Sequence, residues 1–278
     1  MCAEPLNLII LSSDEMRGDA PSFMGNPDCR TPNLDRFAGR GVALRNHFTV
    51  HGKCVPSRAA MMTGRYCHTD GFRTVCKENL IQPGDPNLGL CLKERGYEVA
   101  LFGHNHQWSN FWGTNEKSSG FVDYHSYTEG YFDDLTERQW PAPPAPEGAV
   151  EPPEGISDYM HQYKGRITEP ICGMCDHTRA QQAIRYLQEV REPGRPFLLQ
   201  VNMSTPHPGY AVEEPWFSMV DRESMTPLPY QLPENAPEPL RRMREIRSGH
   251  DCPEEMFREV QATYYGMVSR VDHHLGQV

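Results

Sequence analysis

The chain has 278 residues, a formal net charge of −10, 38% hydrophobic residues and 23% charged residues. This composition is ordinary for a globular protein of one large or two small domains, and the acidic balance argues against nucleic acid as a partner. No apolar run is long enough to span a membrane, and nine cysteines without a secretion signal predict reduced thiols and a cytoplasmic location.

Strand-like and helix-like segments alternate along most of the chain. The predicted strands are 6–13, 42–49, 97–102 and 196–203, and the predicted helices are 32–40, 87–95, 177–191 and 253–278. Thr31 is a suitable N-cap for the first helix, with Pro32 at its first position. This alternation predicts an α/β fold in which helices flank a central, largely parallel sheet.

Two long stretches interrupt the alternation. Residues 113–170 and 205–253 are rich in proline and polar residues. Loops of that length in a compact domain are usually functional or disordered. We expect them to be insertions at the sheet edge that shape a substrate pocket, except for residues 142–154, which we expect to be a disordered, solvated loop.

The most informative motif is Cys-Val-Pro-Ser-Arg at 54–58, followed by Ala-Ala-Met-Met-Thr-Gly-Arg. Pro56 suits the first turn of a helix and Gly64 can end it. Cys54 is then expected just before the helix N-terminus, where free N–H groups and the macrodipole favour an anion. Arg58, one turn later, can reach back to the same point. The alternative interpretation is a buried helix with an inert cysteine.

This motif resembles the signature of type I sulfatases, which belong to the alkaline phosphatase-like superfamily. The resemblance implies an alkaline phosphatase-like α/β sandwich that hydrolyses a small sulfate ester of a sugar or an aryl alcohol. It also implies that a maturation enzyme oxidises Cys54 to formylglycine, whose hydrated form attacks sulfur and later releases sulfate. A serine offers no such release step. Cys54 and Arg58 are therefore catalytic candidates.

Asp14 and Glu15 directly follow the first predicted strand. The resemblance implies a metal site here, made by both residues together with the modified Cys54. Carboxylate oxygens suit Ca²⁺, with Mg²⁺ or Mn²⁺ as alternatives. The family usually has two aspartates at this point, so Glu15 departs from its pattern. Branches such as the phosphonate monoester hydrolases keep only the first, which leaves phosphonate monoesters or phosphodiesters open as substrates.

Histidines follow two other predicted strands. The Gly-His-Asn-His sequence at 103–106 resembles a Gly-Lys-x-His element of the family, which makes His106 a catalytic candidate and His104 a substrate-binding one. The Thr-Pro-His-Pro sequence at 205–208 resembles a Pro-His-x-Pro element. There His207 is a candidate to bind sulfate or to protonate the leaving alcohol. Ordinary loop histidines are the alternative in both places, and metal ligands are a further alternative for His104 and His106.

The resemblance runs from Leu6 through the last predicted helix, so we expect residues 1–278 to be an N-terminal catalytic domain. The family continues with a strand that carries further metal ligands, and then with a small C-terminal subdomain. We therefore expect this sequence to be truncated before that strand. Asp272 lies within a helical pattern and is not its equivalent. A non-catalytic fragment or binding module is the alternative from another functional class.

Overall fold

A computed structural model describes residues 5–74, 81, 85–103, 163–167, 176–228, 232–246 and 253–278. Its strands are β1 (Leu8–Ser12), β2 (Glu98–Gly103), β3 (Tyr163–Ile167), β4 (Phe197–Asn202) and β5 (Tyr210–Glu213). Its helices are α1 (Pro32–Ala38), α2 (Cys54–Thr63), α3 (Cys67–Asp70), α4 (Leu88–Lys93), α5 (Asp176–Arg185), α6 (Glu238–Ile246) and α7 (Glu254–Gln277).

The main sheet has the strand order β1-β4-β2, and both pairings are parallel. The middle strand β4 is buried along its whole length, as expected for a continuous apolar run in a parallel sheet. Because the strands are parallel, the carboxyl ends of all three lie at one edge of the sheet. The three strands predicted from apolar runs at 6–13, 97–102 and 196–203 are therefore confirmed.

Helices cover both faces of this sheet. Side chains on successive positions of a strand point to opposite faces. Ala100 and Leu199 therefore lie in a core with residues of α5 and α7, whereas Val99 and Leu198 lie in a second core with residues of α2. This arrangement confirms the predicted α/β sandwich with a central parallel sheet.

The long helix α7 lies against both α1 and α5. Its apolar side chains Tyr264, Met267, Val271 and Leu275 are buried. Asp272 on this helix also accepts hydrogen bonds from the backbone N–H groups of Asn33 (3.1 Å) and Leu34 (2.7 Å) at the start of α1. Thr31 is the N-cap residue as predicted, but its side chain bonds to Ser22 and Asp35 instead. The free backbone N–H groups at the N-terminus of α1 are therefore hydrogen-bonded to a residue that is distant in sequence.

The prediction of a strand at 42–49 is wrong. This segment is irregular and exposed, with Val42 at 85% and Phe48 at 82% of full exposure. A strand needs a neighbour for its backbone N–H and C=O groups. Among the described residues, no strand lies beside this segment.

The stretches predicted as loops contain regular structure. Strands β3 and β5 pair in parallel as a separate two-stranded sheet, and β5 packs against α7. Helix α6 lies in the second stretch. The sequence of β3, Tyr-Lys-Gly-Arg-Ile, is short and charged, so its strand character is weak. None of the helices in the described ranges has the length and apolar character needed to cross a membrane.

Candidate active site at the carboxyl edge of the sheet

A polar network joins the carboxyl ends of β1 and β4 to helix α2. The Ser12 hydroxyl donates to Oδ1 of Asn202 (2.7 Å), and the Gln200 amide donates to the same oxygen (3.2 Å). Arg58 Nη1 donates to the Ser12 hydroxyl (3.3 Å). Buried polar groups cost free energy unless they are hydrogen-bonded. This network therefore fixes α2 relative to the strand ends.

Asp14 and Arg58 form a buried ion pair at this edge. Asp14 lies in the loop after β1 and Arg58 in the second turn of α2, with 3.7 Å between Asp14 Oδ1 and Arg58 Nη2. Their side chains are only 6% and 7% exposed, respectively. Removing one partner from a buried pair leaves an uncompensated charge, which costs about 3–5 kcal/mol. The two residues therefore depend on each other in the folded chain.

Cys54 is the first residue of α2 and is half-buried. The prediction that it precedes the helix is wrong by one position, because Lys53 is the N-cap. Pro56 is therefore the third helical residue, where its missing N–H still costs no helical bond. Burial, and then the negative charge of Asp14, raise the pKa of the Cys54 thiol. An unmodified thiol here is protonated at neutral pH and is a weak nucleophile.

Asp14, Cys54 and Arg58 line one cavity of about 310 Å³. His51 and Lys53 also line it, although the sequence analysis did not identify them. Their position immediately before the Cys54 motif is the sequence feature that could have identified them. The cations of Lys53 and Arg58, together with the N-terminus of α2, make part of this cavity favourable for an anion despite the negative net charge of the chain.

Glu15 lies on the cavity in an unusual backbone conformation. Its φ of 59° is in the left-handed region, which is uncommon for residues other than glycine. The Tyr264 hydroxyl on α7 donates to the Glu15 carbonyl (3.0 Å) and accepts from the Arg17 N–H (2.7 Å). This double contact holds the loop that carries Asp14 and Glu15.

His207 reaches the site through Glu15. Its Nε2 lies 3.6 Å from Glu15 Oε1, and its Nδ1 lies 2.5 Å from the Pro208 carbonyl oxygen. A carbonyl oxygen can only accept, so Nδ1 carries a proton and Nε2 is the nitrogen that faces Glu15. The structure thus brings Asp14, Glu15, Cys54 and Arg58 to one cavity, and His207 lies next to Glu15 without lining the cavity itself. The other predicted histidines, His104 and His106, lie outside the described residues.

The oxygen atoms at the site are the type of ligand that a hard cation prefers. Asp14 and Glu15 offer carboxylate oxygens, which Ca²⁺ prefers. In the described part of the chain, however, no group of three or more His, Cys, Asp or Glu side chains is arranged to hold a metal ion. Asp14, Glu15 and Cys54 line the same cavity but do not form such a group in the described residues, so the predicted metal site stays a prediction.

A larger cavity of about 630 Å³ lies elsewhere, along the outer edge of β1. It is lined mainly by apolar side chains of β1, α1 and the end of α7, including Ile9, Phe37 and Leu275. No cysteine, histidine or acidic side chain lines it in the part that the structure describes. The reactive groups are therefore at the smaller cavity.

Comparison with known proteins identifies the family. The sulfatase family model matches residues 6–278, which is nearly the whole chain. The chain belongs to the sulfatase family. Members of this family generally use a metal ion and a formylglycine, in agreement with the Cys54 motif.

Individual relatives agree with this assignment. The multifunctional alkaline phosphatase superfamily protein PehA of Trinickia caryophylli is 28% identical, over 98% of this chain and 58% of its own length. The iduronate 2-sulfatase of Mus musculus is 24% identical, over 99% of this chain and 51% of its own. The chain thus spans between half and three fifths of the length of these relatives.

A solved structure shows the same fold. The phosphonate monoester hydrolase of Agrobacterium radiobacter superimposes with a TM-score of 0.69 at 21% identity, over 98% of this chain and 58% of that one. This likeness confirms the predicted alkaline phosphatase-like fold.

We predict that Tyr264→Phe lowers the free energy of unfolding by about 1–3 kcal/mol, because the Glu15 carbonyl and the Arg17 N–H both lose their partner. Urea denaturation followed by circular dichroism measures this. Tyr66→Phe, at an exposed ring, is the control and should change stability little. Equal stability of the two variants would show that Tyr264 does not hold the Glu15 loop.

Proposed function

We propose that this chain carries the nucleophile and part of the metal site of a sulfuric-ester hydrolase that cleaves small sulfate esters of sugars or aryl alcohols. The observation that carries the proposal is the position of Cys54. It begins helix α2 inside a cavity shared with Arg58 and Asp14, and its sequence motif is the one that the family modifies. The sulfatase family match and the iduronate 2-sulfatase relative support sulfate esters as the substrate class.

The surroundings of Cys54 fit a formylglycine better than a thiolate. The raised pKa of the thiol argues against thiolate chemistry, and the cavity beside it has room for a small oxyanion. Formylglycine supplies an aldehyde hydrate, whose two hydroxyls serve attack on sulfur and release of sulfate. We expect a separate maturation enzyme to install it.

The charged residues have separate roles in this proposal. Arg58 and Lys53 hold the negative oxygens of the sulfate group, and Arg58 is the better fixed of the two because it is buried. Nε2 of His207 faces Glu15, which lines the cavity, and it can donate a proton to the leaving alcohol when both ring nitrogens are protonated. His106 as a catalytic residue and His104 as a sulfate contact remain part of the proposal on sequence grounds.

We assign Asp14, Glu15 and the modified Cys54 as ligands of Ca²⁺, with Mg²⁺ or Mn²⁺ as alternatives. Calcium takes six to eight oxygen ligands, so more are needed than the described residues offer. We propose that they come from a further part of the polypeptide, of which residues 1–278 form the N-terminal catalytic portion. The outer edge of β1 supports this, because Ile9 is 47% exposed there. An exposed apolar edge strand is a natural place for another strand to pair.

Phosphonate monoesters or phosphodiesters are the second candidate substrate class. One observation favours them: Glu15 stands where the family usually has a second aspartate, and branches such as the phosphonate monoester hydrolases also have a different residue there. The nucleophile and the cavity are the same in both cases. The choice therefore concerns the substrate and not the site.

We predict that Cys54 is converted to formylglycine when the protein is produced together with a maturation enzyme. Mass spectrometry of the tryptic peptide spanning residues 54–58 should show the aldehyde and its hydrate. Cys91, which is exposed and lies outside the motif, should remain a thiol and serves as the internal control. An unmodified Cys54, under conditions that mature a known sulfatase, would remove the proposed nucleophile.

Activity should follow this modification. Residues 1–278 alone should be nearly inactive on 4-nitrophenyl sulfate, whereas a modified polypeptide extended to the length of the relatives should hydrolyse it, and its Cys54→Ala variant should not. The same assay with a phenylphosphonate monoester separates the two substrate classes. A larger kcat/KM for the phosphonate would favour the second candidate.

We predict that residues 1–278 bind Ca²⁺ weakly, with Kd of about 10⁻⁴ to 10⁻³ M, because the ligand shell is incomplete. Titration calorimetry should show that Asp14→Asn abolishes this binding. A polypeptide extended to the length of the relatives should bind more tightly.

The control for this titration is Asp19→Asn, since Asp19 is exposed and pairs with Arg17 away from the cavity. Micromolar binding by residues 1–278, or binding that survives Asp14→Asn, would contradict this assignment of ligands.

A further inference from the structure

A second buried ion pair lies behind the turn that carries His207. Asp176 is the first residue of α5, and Arg179 follows one turn later, with 3.0 Å between Arg179 Nη1 and Asp176 Oδ1. Asp176 is fully buried and Arg179 is 4% exposed. The roles proposed above use neither residue.

The Asp176 carboxylate binds the turn directly. It accepts hydrogen bonds from the backbone N–H groups of Ser204 (2.8 Å) and Thr205 (3.0 Å). The Thr205 hydroxyl also donates to it, and Arg179 Nη1 donates to the Ser204 hydroxyl. The turn closes with a hydrogen bond from the His207 N–H to the Ser204 carbonyl (3.2 Å). The backbone of His207 is therefore attached to α5 through this ion pair.

The end of β2 leaves room for Arg179. Gly103 has a φ of 94°, and a Cβ atom there would lie 2.7 Å from Cδ of Arg179 and 2.1 Å from the Asn202 carbonyl oxygen. Any side chain at position 103 would thus displace the arginine or the strand.

Stability alone does not account for such a pair. Taking two charges out of water is costly, and well-packed apolar residues often stabilise a fold as much or more. A buried, hydrogen-bonded pair does restrict the chain to one arrangement. Here the arrangement that it restricts is the turn from Ser204 to His207.

We propose that Asp176 and Arg179 are positioning residues, which hold the Ser204–His207 turn so that Nε2 of His207 meets Glu15 at the rim of the Cys54 cavity. This inference rests on the proposed function for its catalytic consequence only. The orientation of the His207 ring can be measured without any turnover.

The direct test is the tautomer of His207, measured by NMR of ¹⁵N-labelled histidine rings. The native protein should show the Nδ1–H form, because Nδ1 donates to the Pro208 carbonyl. Asp176→Asn retains the side-chain shape but cannot accept the same set of bonds, so the His207 signal should move towards a mixture of tautomers. Glu259→Gln, which breaks the Arg222–Glu259 ion pair elsewhere, is the matched control and should leave the signal unchanged.

The kinetic test is a double-mutant cycle in the matured protein. Asp176→Asn should lower kcat for phenyl sulfate, whose more basic leaving group needs a proton, by about tenfold to a hundredfold, as expected for a misplaced catalytic group. In a His207→Ala background the same change should alter kcat by less than about twofold, because there is no imidazole left to position. If the loss of kcat in the double variant equals the product of the losses in Asp176→Asn and His207→Ala, the ion pair acts independently of His207 and the proposal is overturned.

Milder variants keep the test decisive if Asp176→Asn does not fold. Thr205→Val removes one of the hydrogen bonds to Asp176. Arg179→Lys retains the positive charge but not the planar set of N–H donors. Each variant should move the His207 signal part of the way from the Nδ1–H form towards a mixture of tautomers. An unchanged tautomer in these folded variants would overturn the proposal. If the matured polypeptide, extended to the length of its relatives and loaded with Ca²⁺, shows no ester hydrolysis, the proposed function fails, and the NMR result still decides the positioning role.

Discussion

The buried pair of Asp14 and Arg58 is the interaction on which the site depends. Each charge is almost completely removed from water, so each is tolerable only with the other in place. Asp14 follows β1 and Arg58 belongs to α2, and their pairing therefore docks the start of that helix onto the carboxyl end of the sheet. Cys54, one turn before Arg58, is brought beside Asp14 as a consequence. The same contact that orders the fold locally also determines where the nucleophile lies.

Local charge matters more at this site than the charge of the whole chain. The net charge of −10 gives no general attraction for an anionic ester. The cavity nevertheless contains Arg58, Lys53 and a helix N-terminus beside two carboxylates. A bound divalent cation would neutralise those carboxylates and leave the cationic groups to hold the substrate. The proposed metal ion is thus an electrostatic requirement of anion binding as well as a family trait.

Much of the main sheet could be predicted from the sequence, because buried parallel strands are continuous apolar runs and need no partner to be recognised. The segment 42–49 shows the limit of that rule: it is apolar enough for a strand, but the described residues provide no neighbour for its backbone. Strands β3 and β5 were missed for the opposite reason, since β3 is charged, β5 is only four residues long, and both are stabilised by pairing with each other and packing on α7.

The site was predictable to the extent that its residues belong to local motifs. Cys54, Arg58 and Asp14 were found in this way, at a helix start or just after a strand. Asp176 was not, because its contacts with the His207 turn span 28 residues and leave no periodic or spaced pattern. Such positioning groups become visible only when the strand ends and the helix have been brought together.

The most direct test of the account is whether position 54 attacks sulfur. In Cys54→Ser the hydroxyl can still attack a sulfate ester, but it lacks the second hydroxyl that would release the product. After incubation with 4-nitrophenyl sulfate and calcium, mass spectrometry should therefore find one SO₃ group on the peptide containing position 54, accompanied by at most one equivalent of 4-nitrophenol. Continued turnover by this variant, or an SO₃ group on any other residue, would contradict the central claim.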